Sequence, residues 1–218
     1  MTPLLVLVPG LGLDERSSAR LRRLVPARVV ELPGMGLRGP VPPLDELADR
    51  LRDALGAGPV VLVGHSQSCQ VVVAAAQRDP RVAGLVLLGP TTDPRLRSVR
   101  GLAGRWLRTF WHESWRRLPG MMAQWLTIGP RAMRGLWRSA EPDHIEARLP
   151  DLRVPVVVVR GTRDRLCPHD WAAGLAAAAP RGRLVEIPGA AHMTPQTHPA
   201  DVAVVLSSLA AGGSSSSG

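Results

Sequence analysis

Ser66 stands in the stretch Val63-Gly64-His65-Ser66-Gln67-Ser68, where an apolar run ends in a serine flanked two positions either side by small residues. A serine hydroxyl becomes a useful nucleophile when a base takes its proton, and the base needs a carboxylate to fix its tautomer and stabilise its charged form. The chain offers both in turn-rich segments. Asp164 lies in Arg160-Gly161-Thr162-Arg163-Asp164-Arg165-Leu166-Cys167-Pro168, and His192 lies in Pro188-Gly189-Ala190-Ala191-His192-Met193. Such a set could carry out acyl transfer, with Ser66 attacking a carbonyl, His192 moving the proton and Asp164 orienting the imidazole. Each residue also has a plainer reading. Ser66 could cap a helix, Asp164 could cap the next helix or pair with Arg163 or Arg165, and His192 could be a packed loop histidine. Asp170 and Asp143 are alternative acids. His198 competes as the base, although its place beside Pro199 suits the surface.

These residues need a frame that brings them to one edge. Short apolar runs near Leu4–Val8, Val29–Leu32, Val60–Val63, Ala83–Leu88, Val154–Val159 and Leu184–Ile187 read as strands. Helical patterns near Pro43–Leu55, Gln67–Arg78, His169–Ala179 and Pro199–Ala210 intervene. Continuous Val and Leu runs suit strands buried on both faces, and alternation with helices calls for parallel crossovers. The expected fold is a doubly wound α/β sheet, mostly parallel, of about six strands flanked by helices. In such a sheet all strand carboxyl ends face the same side, so Ser66, Asp164 and His192 can converge. Gln67, the first residue after the serine, would add a backbone N–H beside it. His65 reads as support for the turn, and Cys69 as core packing.

One stretch differs in character. Between Arg95 and Arg138 lie ten arginines against Glu113 alone, which is the whole of the net charge of +9. The stretch also holds five of the six tryptophans and the only phenylalanine, Phe110. Val99, Leu102, Trp106 and Phe110 recur at helical spacing, and Met121, Met122, Trp125 and Ile128 form a second stripe. Pro119-Gly120 and Gly129-Pro130 would break the stretch into three helices. Residues 1–90 and 150–211 then form the core, 91–149 a helical lid inserted after the fourth strand, and 212–218 (GGSSSSG) a flexible tail. Three short helices cannot bury five tryptophans on one another, so some should face the cleft. Trp106, Phe110, Met121, Met122, Trp125 and, from the His192 loop, Met193 are the candidate substrate-binding residues.

Taken together, Gly64-His65-Ser66-Gln67-Ser68, Gly161-Thr162-Arg163-Asp164 with Pro168, and Gly189-Ala190-Ala191-His192 resemble the α/β-hydrolase fold superfamily, particularly its lid-bearing esterase- and thioesterase-like members. The order Ser, Asp, His agrees, and the resemblance runs over about Leu4 to Leu209. It implies a Ser66, Asp164, His192 triad and a helical cap after the strand ending near Leu88. It also implies an oxyanion donor in the loop Val8-Pro9-Gly10-Leu11, which falls on Leu11. Two departures stand out: Ser68 where the family usually has glycine, and Pro9 where it commonly has histidine. The family's usual first two strands find no room before Leu4, so a trimmed sheet is expected.

The remaining features bound the function. A chain of 218 residues with 45% hydrophobic content can bury a full core. No apolar run reaches the roughly 18 residues of a membrane span, and Met1–Gly10 lacks a basic leader, so a soluble cytoplasmic protein with reduced thiols at Cys69 and Cys167 is expected. There is no metal-ligand spacing and no phosphate-binding loop with lysine, so no cofactor is expected. The substrate class that fits is an ester or thioester of a hydrophobic small molecule. The arginines read as a solvated face, or as steering for an acyl carrier or coenzyme A thioester. Nucleic acid is not expected, because no binding fold accompanies the patch. The sequence specifies no oligomeric state. A cofactor-free lyase or oxygenase using His192 as base, or a non-catalytic small-molecule receptor, would use the same fold and triad.

Overall fold

A computed structural model of the protein describes residues 2–91, 93–96, 118–140 and 142–212. Trp106, Phe110 and tail residues 213–218 lie outside the described residues. Strand β1 spans Leu4–Val8, β2 Ala27–Val29, β3 Val60–His65, β4 Val82–Leu88, β5 Val156–Gly161 and β6 Gly182–Ile187. They form one sheet in the order β2-β1-β3-β4-β5-β6 with every pairing parallel. The second expected strand is displaced: Ala27–Val29 pairs with β1, while Leu32–Pro33 forms a separate short ladder with Gly36–Leu37. The Val-rich run there continues past the sheet edge, where the bends at Gly34 and Gly36 redirect it.

Alternation along each strand sends side chains to two cores. Val6, Val60, Leu62, Leu85 and Val158 face one side, against helices α1 (Leu44–Asp53), α2 (Ser68–Ala76) and α5 (His169–Ala178). Leu7, Val61, Val63, Val86 and Val159 face the other, against Leu21 and helix α6 (Pro199–Gly212). Both faces of the sheet are therefore covered, which is why its strands carry unbroken Val and Leu runs.

Between β4 and β5, helices α3 (Leu118–Ile128) and α4 (Pro130–Ala140) precede a short turn of helix at Ile145–Arg148. Residues 97–117, where the sequence places the helix before Pro119-Gly120, lie outside the described residues. Pro119 and Gly120 both fall within the described span of α3. Leu136 of α4 is fully buried in the first core, and Ser139 donates a hydrogen bond to the Pro42 carbonyl at 2.9 Å. No helix among the described residues is long and apolar enough to cross a membrane.

The packing of α6 gives a direct test. Leu206 is fully buried and Val204, two residues earlier, is 70% exposed. Leu206→Ala should lower stability by about 2–5 kcal/mol, whereas Val204→Ala should stay within about 0.5 kcal/mol of the parent, both read from urea unfolding midpoints.

Candidate active site

Ser66 has φ 57°, and among the described residues no other non-glycine residue has positive φ. This left-handed backbone lifts the side chain clear of both β3 and α2 at the carboxyl edge of the sheet. The turn is held from several sides. The Ser66 N–H donates to the Leu88 carbonyl at 2.8 Å. Gly64 leaves room for the start of α2, since a Cβ there would sit 2.8 Å from the Cys69 Cα. Ser68 is fully buried and does more than substitute for a small residue. Its Oγ accepts the His65 N–H at 2.8 Å and lies 2.8 Å from the Val8 carbonyl, so it ties the turn to the end of β1.

Asp164 and His192 reach Ser66 from the ends of β5 and β6. His192 Nδ1 lies 2.8 Å from Asp164 Oδ2, and His192 Nε2 lies 2.9 Å from Ser66 Oγ. A carboxylate can only accept here, so Nδ1 carries the hydrogen and Nε2 presents its lone pair to the serine hydroxyl. The other carboxylate oxygen, Oδ1, accepts the N–H groups of Leu166 at 2.8 Å and Cys167 at 3.0 Å. The two loops pack backbone to backbone. A Cβ at Gly161 would fall 2.3 Å from the Ala190 carbonyl oxygen, and the Arg163 N–H donates to that same carbonyl at 2.8 Å. Arg160, buried beneath them, donates to the carbonyls of Cys167 at 2.8 Å and Asp164 at 3.2 Å, and pairs with Glu186.

The loop after β1 completes the edge. Gly10 lies against His65 and Ser66, and the amide N–H groups of Leu11 and Gln67 donate no backbone hydrogen bond among the described residues. Helices α3 and α4 lie over this loop. The Trp125 ring and Met133 abut the backbone of Gly12, and the Asp14 N–H donates to Gln124 Oε1 at 3.1 Å. Between them is a cavity of about 200 Å³. Ser66, His192, His65, Gln67 and Thr91 supply its polar lining, and leucines, methionines and tryptophans supply the rest.

A family model described as the alpha/beta hydrolase family matches residues 5–205. The chain belongs to the α/β-hydrolase family. A thermophilic esterase of solved structure superposes with a TM-score of 0.80 at 21% identity, over 96% of this chain and 90% of that one. A thermophilic esterase from Thermogutta terrifontis, solved with malate bound, gives 0.74 at 22% identity, over 97% and 90%. A hydrolase from Oleispira antarctica gives 0.78 at 15% identity, over 96% and 91%. No curated protein matches the sequence.

The structure thus brings Ser66, Asp164, His192, Leu11 and Gln67 to one place, with Met121, Trp125 and Met193 in the cavity lining. Met122 is not in that lining and is 41% exposed, because one residue step turns it about 100° around α3 from Met121. Sequence reasoning missed Leu13, Met133, Trp137 and Leu166, which do line the cavity. The four-residue spacing of Met133 and Trp137 on α4 was the available signal. The alternative groups are engaged elsewhere. Asp170 pairs with Arg95 at 2.6 Å, Asp143 with Arg148 at 2.7 Å, and His198 lies 2.9 Å from the Thr197 hydroxyl. Cys69 and Cys167 are buried and not joined, and burial pushes both thiols well up from the ordinary 9.0.

His65 donates its Nε2–H to the His192 carbonyl at 3.2 Å. Burial, reinforced by nearby His192, pushes its pKa from the ordinary 6.5 down to about 3. The folded state therefore binds fewer protons than the unfolded chain between these values. The stability tied to neutral His65 is complete above pH 6.5 and is lost as pH falls toward about 3. His65→Gln, which keeps an N–H donor, should flatten the decline of urea midpoints between about pH 6.5 and pH 4. An unchanged slope would show that His65 does not carry it.

Proposed function

We propose that this protein is a cytoplasmic serine hydrolase that cleaves an ester or thioester of a hydrophobic small molecule through an acyl-enzyme. The observation that carries the reading is the hydrogen-bonded line from Asp164 through His192 to Ser66, opening into an apolar cavity. Ser66 Oγ attacks the carbonyl as His192 Nε2 takes its proton. Asp164 holds the Nδ1–H tautomer and stabilises the imidazolium, while the N–H groups of Leu11 and Gln67 receive the oxyanion. His192 then protonates the leaving alkoxide or thiolate, and water activated by the same imidazole releases the acid.

In this reading residues 91–149 act as a lid over a core formed by 1–90 and 150–211. The described part of that lid supplies Met121, Trp125, Met133 and Trp137 to the cavity, so it sets the shape of the acyl site. Arg131, Arg134 and Arg138 are exposed on α4, where they suit attraction of an acyl carrier or coenzyme A thioester. The lining calls for no cofactor in this chemistry.

A series of p-nitrophenyl esters and acyl thioesters of rising chain length tests the reading. The value of kcat/KM should rise about fourfold per methylene until the cavity fills, and then fall. Ser66→Ala should lose about 10⁶-fold, and Asp164→Asn about 10⁴-fold. Full turnover by Ser66→Ala would refute the assignment. Absence of turnover by the wild type, with Ser66 still reactive, would point instead to lyase, oxygenase or receptor use of the same site.

A further inference from the structure

Gln67 is assigned above through its backbone N–H, yet its side chain is the more unusual part. The residue is 2% exposed, and neither Oε1 nor Nε2 has a hydrogen-bond partner. Its neighbours are not in this position. Ser68 is bonded to His65 and Val8, and His65 is bonded to His192. A buried carboxamide without a partner is costly, and methionine would fill nearly the same volume without that cost. Gln67 is one of the residues that line the same cavity as Ser66, with the carboxamide atoms themselves buried. A donor and an acceptor kept unpaired beside a largely apolar cavity are suited to a partner that arrives with a ligand.

We propose that the Gln67 carboxamide is a specificity determinant, recognising an uncharged oxygen substituent close to the scissile carbonyl of the acyl group. This rests on the reading of Ser66 as the nucleophile. Gln67 directly follows Ser66 and its carboxamide is two methylenes from its own Cα, so its partner sits near the reacting carbonyl and not at the far end of the chain. A hydroxy, oxo or alkoxy oxygen fits that place. An uncharged partner matches a neutral carboxamide, and the nearby His65 is itself held neutral by burial. An acyl group lacking the oxygen leaves the carboxamide unpaired in the transition state, which disfavours it relative to one that supplies the bond.

The test compares p-nitrophenyl methoxyacetate with p-nitrophenyl butyrate, which have equal chain lengths and differ by an ether oxygen in place of one methylene. Each kcat/KM is divided by the rate constant for hydroxide, which removes the intrinsic reactivity difference. The wild type should favour the methoxyacetate by about tenfold, the worth of one hydrogen bond. Gln67→Met and Gln67→Leu, which keep the backbone N–H, should abolish or reverse the preference. Because the quantity is a ratio within each enzyme, any loss common to both esters cancels. The same ratio in wild type and variants, within about twofold, would overturn the proposal.

If the wild type hydrolyses neither ester, the hydrolase reading has failed and binding decides this one separately. Methyl methoxyacetate should then raise the melting temperature of Ser66→Ala more than methyl butyrate does. That difference should vanish in Ser66→Ala/Gln67→Met, and equal shifts in both backgrounds would overturn the assignment.

Discussion

The left-handed backbone at Ser66 is the constraint around which this edge of the molecule is arranged. A φ of 57° on a residue with a Cβ costs about 1–3 kcal/mol and persists only where the surroundings over-determine it. Here they do. The Leu88 carbonyl holds the Ser66 N–H, Gly64 admits the start of α2, and Ser68 bonds to both His65 and β1. The sharp turn lets a buried parallel strand end in an accessible hydroxyl. It also leaves the Gln67 N–H without a backbone partner, beside the place where a carbonyl oxygen would develop charge.

The other groups come to Ser66 because the strands that carry them are parallel neighbours. β3, β4, β5 and β6 are consecutive in the sheet, so the loops after β3, β5 and β6 open on one side. Convergence at hydrogen-bond distance needs more than topology. The close approach at Gly161, the backbone bonds between the Asp164 and His192 loops, and the buried Arg160 fix the two loops as one unit. Asp164 is oriented through one oxygen by two N–H groups, which leaves the other aimed at His192.

Much of this was legible in the residues. Strands buried on both faces appear as apolar runs, and the small-residue spacing about Ser66 marks a tight turn whatever its use. Asp164 and His192 could be found because each follows such a run. Less was legible where local pattern and tertiary contact part company. Val29–Leu32 is apolar apart from Glu31, but only Ala27–Val29 pairs with β1, and Gly34 and Gly36 bend the chain away beyond it. Met121 and Met122 are alike in chemistry, and only the helix's orientation separates a lining residue from an exposed one. The bonding of Ser68 and the unpaired carboxamide of Gln67 depend on three-dimensional neighbours that no spacing rule supplies.

The central claim is that Ser66 is a nucleophile activated by His192 and Asp164, and covalent trapping addresses it without knowledge of the substrate. An alkyl fluorophosphonate reacts with an activated serine and adds a fixed mass, read by intact-protein and peptide mass spectrometry. The account predicts a single adduct on Ser66 in the wild type, none in Ser66→Ala, and labelling slowed by orders of magnitude in His192→Ala. Labelling of another residue, or an equal rate in His192→Ala, would contradict it.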